Sequence, residues 1–152
     1  MENLERLLRE HNFLEGLSPT QIQFIVGCAR NERFPAGSYL LREGAVTDSF
    51  FLIRRGTVCL ELHVSGRGVV VMETVGPGDI VGLSWVLAPH PAQLDSRARE
   101  DVVALVFDAG CLRKKMEEDH DLGYALTRRM LAKAYARLER TRMQRLDVYR
   151  SE

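Results

Sequence analysis

The side chains that most often perform catalysis or bind metal ions are few and scattered in this chain. Its four histidines stand at positions 11, 63, 90 and 120, with no His-x-His pair and no glutamate at a companion spacing. Metal sites usually draw their ligands from such closely spaced groups. The sequence also lacks a Gly-x-Ser-x-Gly motif, a P-loop and a recognisable Ser-His-Asp order. It therefore predicts neither a metal centre nor an enzyme.

The cysteine pattern bears on the compartment. Three cysteines stand at positions 28, 59 and 111, an odd number without a Cys-x-x-Cys pair. This pattern favours reduced, buried thiols in a cytosolic protein over a disulfide framework. No apolar run approaches the ~20 residues that span a bilayer, and the charged segment Met1 to Glu10 does not resemble a signal peptide. We therefore expect a cytoplasmic protein without a membrane partner.

Composition and charge exclude other classes. A chain of 152 residues, 45% hydrophobic and 28% charged, is long enough for one domain with a buried core. Its 21 basic and 21 acidic residues cancel, so the molecule as a whole offers no positive field that would attract nucleic acid. A DNA-binding role would need a local basic patch.

Three regions of different character make up this single predicted domain. Residues 1–32 look helical, with a capping box that begins at Ser18. Residues 33–108 consist of short β-branched and aromatic runs separated by glycines, which is typical of antiparallel strands. Residues 109–152 return to helix. The sequence predicts an α+β fold, in which an antiparallel β-roll or jelly roll (a double-stranded β-helix) follows N-terminal helices and precedes a long C-terminal helix.

The C-terminal helix is predicted to extend beyond its own domain. Apolar residues recur from about residue 121 to 149 at spacings of three, four or seven, and arginines and Lys133 cover much of the rest as a solvated face. Such a helix is about 40 Å long, more than a small domain can cover. We predict a homodimer seam that contains Leu131, Tyr135, Leu138 and Leu146. Packing of the whole stripe on the β-roll is the alternative.

Three motifs in the β region make the chain recognisable. They are FPAGSYLLREG at residues 34–44, FLIRRGTV at 51–58 and PGDIVG at 77–82. In this order, and with the flanking helices, they resemble the cyclic nucleotide-binding domain superfamily of catabolite-activator-like regulators, kinase regulatory subunits and gated channels. The resemblance covers roughly residues 10–145. A stand-alone bacterial subgroup looks most similar, because it shares a Gly-x-Ser-Trp segment, here Gly82 to Trp85, and a segment like that from Asp119 to Leu126.

The resemblance places a ligand-binding cassette, which we define as residues 82–97, directly after the third motif. Leu83 stands where nucleotide-binding relatives carry a glutamate for the ribose hydroxyl, and Gln93 stands where they carry an arginine for the phosphate. Replacing both anchors would cost about a thousandfold or more in affinity, so we do not expect tight cAMP binding. The resemblance implies these candidate ligand residues: Gly82, Leu83, Ser84, Trp85, Gln93, Leu94, Asp95 and Arg97.

Several cassette residues leave alternatives open. Trp85 either belongs to the core or stacks on a purine. Arg97 shares one face of an extended strand with Gln93 and Asp95, so it either reaches the pocket or pairs with Asp95. The residues from Ser84 to Leu87 are expected to form a short helical turn that offers backbone N–H groups. The segment 88–91 makes the cassette more apolar and stiffer.

These observations support two functional interpretations. The first is a small-molecule sensor or adaptor, in which a ligand other than tightly bound cAMP repositions the C-terminal helix. The second is a ligand-free dimeric scaffold that binds another protein through its helical half. Apart from a possible cyclic nucleotide or related ligand, no cofactor is implied. Regulators with this resemblance carry a helix-turn-helix after the long helix, and this chain ends at Glu152, so we do not expect DNA binding by that route.

Overall fold

The computed structural model describes residues 3–46, 48–87 and 91–150, with only the backbone for the last two of them. Four α-helices, together with short 3-10 turns, frame the strands: α1 (Leu4–Glu10), α2 (Pro19–Ile25), α3 (Ala109–Glu118) and α4 (His120–Arg150). The 3-10 turns are Asn12–Leu14, Val26–Cys28 and Ser84–Leu87. Eight strands are described between them: β1 (Ala29–Phe34), β2 (Tyr39–Leu41), β3 (Ser49–Arg55), β4 (Val58–Val64), β5 (Gly68–Val75), β6 (Ile80–Val81), β7 (Asp95–Ala98) and β8 (Val102–Asp108).

The strands form two four-stranded antiparallel sheets. One has the order β1-β8-β3-β6 and the other the order β2-β7-β4-β5. This confirms the predicted α+β fold with an antiparallel β-roll, N-terminal helices and a long C-terminal helix. The predicted hairpin is also present, since β4 and β5 pair on either side of the turn around Gly66.

The first strand begins earlier than the sequence indicated. Residues 29–34 pair with β8 along their whole length, although residues up to 32 had been assigned to the helical region. This segment carries Arg30, Glu32 and Arg33 and buries little of its surface, so no apolar alternation marks it as a strand. Its backbone hydrogen bonds to β8, a partner distant in sequence, decide its conformation.

The sheet that contains β3 and β8 is covered on both faces. One core cluster lies between the two sheets and includes Phe51, Ile53 and Val106. The other lies between this sheet and the helices, and includes Phe50 and Phe107. Adjacent residues of a strand point to opposite faces, so a strand buried on both sides needs a continuous apolar run. Both strands have such a run.

The start of α2 forms as the sequence predicts. The Ser18 hydroxyl accepts a hydrogen bond from the backbone N–H of Gln21 at 3.1 Å, and the Gln21 side chain accepts one from the backbone N–H of Ser18 at 2.9 Å. Pro19 occupies the first helical position, where no backbone donor is needed. This local motif fixes the helix against the core through Ile22 and Ile25.

Helix α4 presents two opposite faces. Near its start Leu122, Leu126 and Met130 are buried in the helical core, and further along Lys133 and Arg137 contact the β-roll. The other face carries apolar side chains with large exposed fractions: Leu131 (67%), Tyr135 (61%), Leu138 (46%) and Leu146 (46%). These four residues do not pack on the β-roll, which removes the alternative considered for them. The homodimer seam stays a prediction.

The cysteine prediction is wrong for two of the three residues. Cys28 and Cys111 form a disulfide across a sequence separation of 83, and only Cys59 is a free, buried thiol. Cys28 ends the 3-10 turn after α2, and Cys111 lies in the first turn of α3. Sequence spacing did not reveal the pair, because only the packing of α3 against the N-terminal helices brings the two residues together.

Within the described part of the chain, no helix combines the length and apolar character that a bilayer crossing requires.

Candidate functional site

A small cavity lies between the β-roll and α4. Its volume is about 120 Å³, and it is bounded by the sheet β2-β7-β4-β5, the cassette and one residue of α4. The lining comes from ten of the described residues: Leu41, Leu60, Gly82, Leu83, Ser84, Ala92, Gln93, Leu94, Ser96 and Arg137. Five of the eight predicted ligand residues are therefore brought together here, namely Gly82, Leu83, Ser84, Gln93 and Leu94.

Gly82 shapes the entrance to the cassette. Its φ of +89° belongs to the left-handed region that side chains avoid. A Cβ at this position would lie 3.1 Å from the Ser49 carbonyl oxygen and 3.2 Å from Leu41 Cδ1. The glycine therefore allows the chain to leave β6 closely packed against β2 and β3. It then enters the 3-10 turn that starts at Ser84.

The strand β7 turns an unpredicted residue toward the cavity. Ser96 is 3% exposed, lines the cavity and pairs with Leu60 of β4, which also lines it. Alternation along the strand accordingly directs residues 94, 96 and 98 inward. Residues 93, 95 and 97, which were expected to share the cavity face, have the opposite parity, and only Gln93, which precedes β7, lines the cavity. Gln93 itself precedes β7 and donates a long hydrogen bond of 3.4 Å from Nε2 to the Pro91 carbonyl oxygen.

Trp85 lies in the core rather than in the cavity. Its side chain is fully buried beside Phe50, with the ring centroids 5.3 Å apart. The indole Nε1 is buried without a hydrogen-bond partner among the described residues. Stacking of this ring on a ligand is incompatible with such burial, so the core alternative for Trp85 is correct.

Asp95 and Arg97 lie on the outer face of β7, away from the cavity. Arg97 makes a bidentate ion pair with Glu61 of β4, with Nη2 2.8 Å from Oε2, and the Glu61 side chain is only 2% exposed. The hydrogen bonds and charge of Glu61 raise the pKa of Arg97 above its ordinary value. Asp95 instead accepts a hydrogen bond from the Glu43 backbone N–H at 2.7 Å and faces Arg42. Both alternatives for Arg97 are therefore wrong, since it neither enters the cavity nor pairs with Asp95.

Helix α4 brings one basic side chain, Arg137, to the cavity, and Lys133 binds the nearby turn before β6. Lys133 donates a hydrogen bond of 3.2 Å to the Gly78 carbonyl oxygen and lies 3.7 Å from Asp79. Arg137 donates one of 3.0 Å to the Ile80 carbonyl oxygen. These contacts correct the expectation of a purely solvated basic face. The helix is held by charge on the turn between β5 and β6.

Glu73 of β5 forms ion pairs with two arginines of α4. Arg137 Nε lies 3.3 Å from its Oε2, and Arg140 forms an ion pair with its Oε1. The Glu73 side chain is 13% exposed, so both pairs are partly shielded from water. No sequence pattern marked Arg137 as a cavity residue, because it stands 55 positions after Gly82.

A larger, open groove of about 610 Å³ runs between the Asn12–Leu14 turn and α4. Its basic residues already have partners within the chain. Arg129 donates hydrogen bonds to the carbonyl oxygens of Glu15 and Ala125, and Arg128 donates one to the Tyr124 hydroxyl. Lys133 is held as described above. We therefore take the smaller cavity as the candidate site.

Metal chemistry finds no support in the side-chain arrangement. Over the described ranges, no three His, Cys, Asp or Glu side chains cluster as metal ligands would. His11 is buried and engaged at both ring nitrogens, one paired with the Ile53 carbonyl oxygen at 2.8 Å and the other accepting from the Phe13 N–H. The predicted effect of residues 88–90 on the cassette lies outside the described residues.

The chain is similar to known proteins that contain one particular domain. The family model of the cyclic nucleotide-binding domain matches residues 31–119. Human cGMP-dependent protein kinase 2 is 26% identical over 109 residues, which cover 70% of this chain and 14% of the kinase. The chain thus spans about one seventh of the length of the curated relatives that it matches.

Solved structures extend the similarity to most of the chain. A putative cyclic nucleotide-binding protein from Geobacter metallireducens is 30% identical, with a TM-score of 0.78, covering 91% of this chain and 99% of that one. The sensor domain of the transcriptional regulator DNR from Pseudomonas aeruginosa shares the fold at 22% identity, with a TM-score of 0.69 and coverage of 94% and 91%.

Proposed function

Because this chain belongs to the cyclic nucleotide-binding domain family, we propose that it is a non-catalytic, cytoplasmic sensor or adaptor whose cavity takes a small ligand of altered specificity. One observation carries the proposal: Arg137 of α4 lines the cavity and at the same time holds the helix on β6 through the Ile80 carbonyl oxygen. A ligand that enters must compete with the contacts that Arg137 makes. Its binding free energy is thereby linked to the position of the helix.

The composition of the cavity supports a change in specificity. Leu83 and Gln93 contribute neither the carboxylate nor the guanidinium with which nucleotide-binding relatives are expected to hold ribose and phosphate. In addition, about 120 Å³ is well below the ~300–1,000 Å³ of a usual small-molecule site. A cyclic nucleotide would therefore have to displace α4 or the cassette, which lowers its apparent affinity.

The output of the sensor would be read from the other face of α4. The exposed stripe from Leu131 to Leu146 lies opposite the face that holds Lys133 and Arg137. Leu131, Tyr135 and Leu138 are spaced by four, three and seven positions on one helix face, which suits a two-fold helix pair. We propose that this stripe pairs with the same stripe of a second copy. A movement of α4 at the cavity would then change the dimer.

The alternative is a ligand-free dimeric scaffold. The small cavity, into which both Leu83 and Arg137 project, is the observation that favours it. In that case α4 is a fixed structural element, and its exposed face serves assembly or protein binding.

Isothermal titration calorimetry with a panel of cyclic mono- and dinucleotides distinguishes the two functions. For the sensor we expect at least one ligand to bind to the wild type and to lose its affinity in Ser96→Leu, where the larger side chain fills the cavity. The matched control is Thr74→Leu, an exposed position on β5. Circular dichroism checks that both variants fold. Absence of binding by every compound, together with no small molecule in extracts of the purified protein, would favour the scaffold.

A further inference from the structure

We propose that Arg137 is the anion-binding residue of the cavity. Glu73 forms an ion pair with its guanidinium until an oxyanion group of the ligand displaces the Glu73 carboxylate. This inference rests on the proposed sensor function and names its ligand class, a small molecule that carries a phosphate or carboxylate group. The positive charge of the site then lies on α4 and not at the position of Gln93, where nucleotide-binding relatives are expected to carry an arginine.

Arg137 has the position that this role requires. Among the described residues that line the cavity, it is the only charged one. Its Nη2 donates to the Ile80 carbonyl oxygen at 3.0 Å, while its Nε is buried and has no hydrogen-bond partner among the described residues. Glu73 Oε2 is 3.3 Å from that Nε, close enough for an ion pair but not aligned for a hydrogen bond. A guanidinium has five donors in a fork that fits an oxyanion, so Arg137 retains donors for a ligand.

Glu73 can release Arg137 without becoming an isolated charge. Its Oε1 is already paired with Arg140, one turn further along α4. If an anion takes the guanidinium of Arg137, the carboxylate keeps Arg140 as its partner. An exchange of this kind avoids the cost of leaving a partly buried charge unpaired.

The remaining polar groups of the cavity suit an oxyanion. Ser84, Gln93 and Ser96 line it with hydroxyl and amide groups that can donate hydrogen bonds, and no acidic side chain is found among its described lining residues. Glu73 reaches Arg137 from the neighbouring strand β5. In the part of the site that the structure describes, one cation is therefore combined with neutral donors and one competing carboxylate.

The location of the cation on α4 has a mechanistic consequence. Because Arg137 also fastens the helix to Ile80 and Glu73, an anion that binds its guanidinium changes the contacts of α4 directly. No separate relay between the ligand and the helix is needed. The same side chain, Arg137, would bind the ligand and release α4 from the β-roll.

Inorganic phosphate and acetate, titrated separately at constant ionic strength, test the assignment. The variants are Glu73→Gln, Arg137→Gln and the double variant, and the control is Arg142→Gln, an exposed arginine of α4 paired with Glu139. The readouts are the dissociation constant and the NMR signal of the Arg137 Nε–H. We expect Glu73→Gln to bind phosphate at least tenfold more tightly than the wild type, because the competing charge is gone. Both variants that lack Arg137 should lose binding about ten- to hundredfold, while Arg142→Gln should resemble the wild type.

The titrations have several outcomes that decide whether Arg137 binds the anion. If Glu73→Gln and the double variant bind phosphate with the same affinity as each other, and likewise acetate, the role of Arg137 is overturned. A response to phosphate alone supports a phosphate-bearing ligand, and a response to acetate extends the class to carboxylates. If Arg137→Gln does not fold, the comparison of Glu73→Gln with the wild type still tests the competition.

Failure of this inference is distinguishable from failure of the sensor function. A cyclic nucleotide that binds equally to the wild type and Arg137→Gln would leave the sensor standing and refute the anion contact. Conversely, Arg137-dependent phosphate binding without any change in hydrogen exchange along α4 would support the anion site and count against signalling by the helix.

Discussion

At the scale of single residues, the arginine on the outer surface of the β-roll and the arginine of the cavity have different partners. Arg97, which sequence reasoning considered for the cavity, is committed to Glu61 on the outer face of the sheet. Glu61 is nearly inaccessible, and removing its partner would leave a buried carboxylate unpaired at a cost of several kcal/mol. Arg97 therefore stabilises the sheet, while Arg137 brings the cavity its positive charge.

His11 gives the folded state a pH dependence. Its Nε2–H donates to the Ile53 carbonyl oxygen and its Nδ1 accepts from the Phe13 N–H, which together require a neutral ring. Burial, helped by the charges of Lys133 and Arg54, lowers the pKa of His11 below 6.5, and the Ile53 hydrogen bond and Asp79 only partly oppose this.

We predict that stability falls as the pH decreases below about 6.5. Above this value neither state binds the proton, and below it the unfolded state binds the proton first, so unfolding becomes easier down to the lowered pKa of the folded state. The contribution is at most about 1.4 kcal/mol per pH unit. Urea unfolding between pH 7 and 5 should show a steeper loss for the wild type than for His11→Gln, whose amide retains a donor and an acceptor. Parallel pH curves would contradict this role.

At the scale of elements, α4 is divided between two tasks. One face is bound to the core and the β-roll, first through apolar residues such as Leu126 and then through Lys133 and Arg137. The opposite face exposes a stripe that includes Tyr135 and Leu138. An exposed apolar stripe of this kind is the feature on which the proposed dimer depends.

We predict that Tyr135→Asp converts a dimer into a monomer. The side chain is 61% exposed, so the substitution should leave the fold intact, while two opposed carboxylates at a two-fold seam would repel each other. Sedimentation velocity should report a mass near 17.2 kDa for the variant and near twice that for the wild type. Gln144→Asp, an exposed position that continues the opposite face with Arg137 and Arg140, is the control and should remain dimeric. A wild type that is monomeric at all concentrations would refute the seam.

At the scale of the whole molecule, α3 connects the cassette with both helical segments. Arg113 of α3 donates a hydrogen bond of 2.8 Å to the carbonyl oxygen of Trp85, while the Cys28–Cys111 disulfide ties the same helix to the end of the N-terminal segment. The helix that precedes α4 is thereby fixed at two points.

We predict that loss of the disulfide lowers the free energy of unfolding by about 2–4 kcal/mol, because the cross-link restricts the unfolded chain across 83 residues. Cys111→Ser and the wild type in dithiothreitol should show similar losses, and dithiothreitol should have no further effect on Cys111→Ser. In the unfolded, unreduced protein, alkylation followed by mass spectrometry should label one thiol, Cys59. Labelling of three thiols would disprove the disulfide. A reducing cytoplasm disfavours this bond, so alkylation in intact cells also tests the predicted location.

The sequence by itself determined the order and type of most elements. Three local patterns formed as predicted: the capping box at Ser18, the hairpin around Gly66 and the long run of helical periodicity in α4. The three glycine-containing motifs also identified the family and the start of the cassette. Five cavity residues followed from that position. These features depend on neighbours within a few residues, which a sequence displays directly.

Only the tertiary structure decided which side chains meet. The pairing of Cys28 with Cys111, the ion pair of Arg97 with Glu61 and the arrival of Arg137 at the cavity join residues separated by 36 to 83 positions, or elements whose docking no local pattern specifies. Strand register and helix docking determine such contacts, because moving a strand by one residue turns each of its side chains to the opposite face of the sheet.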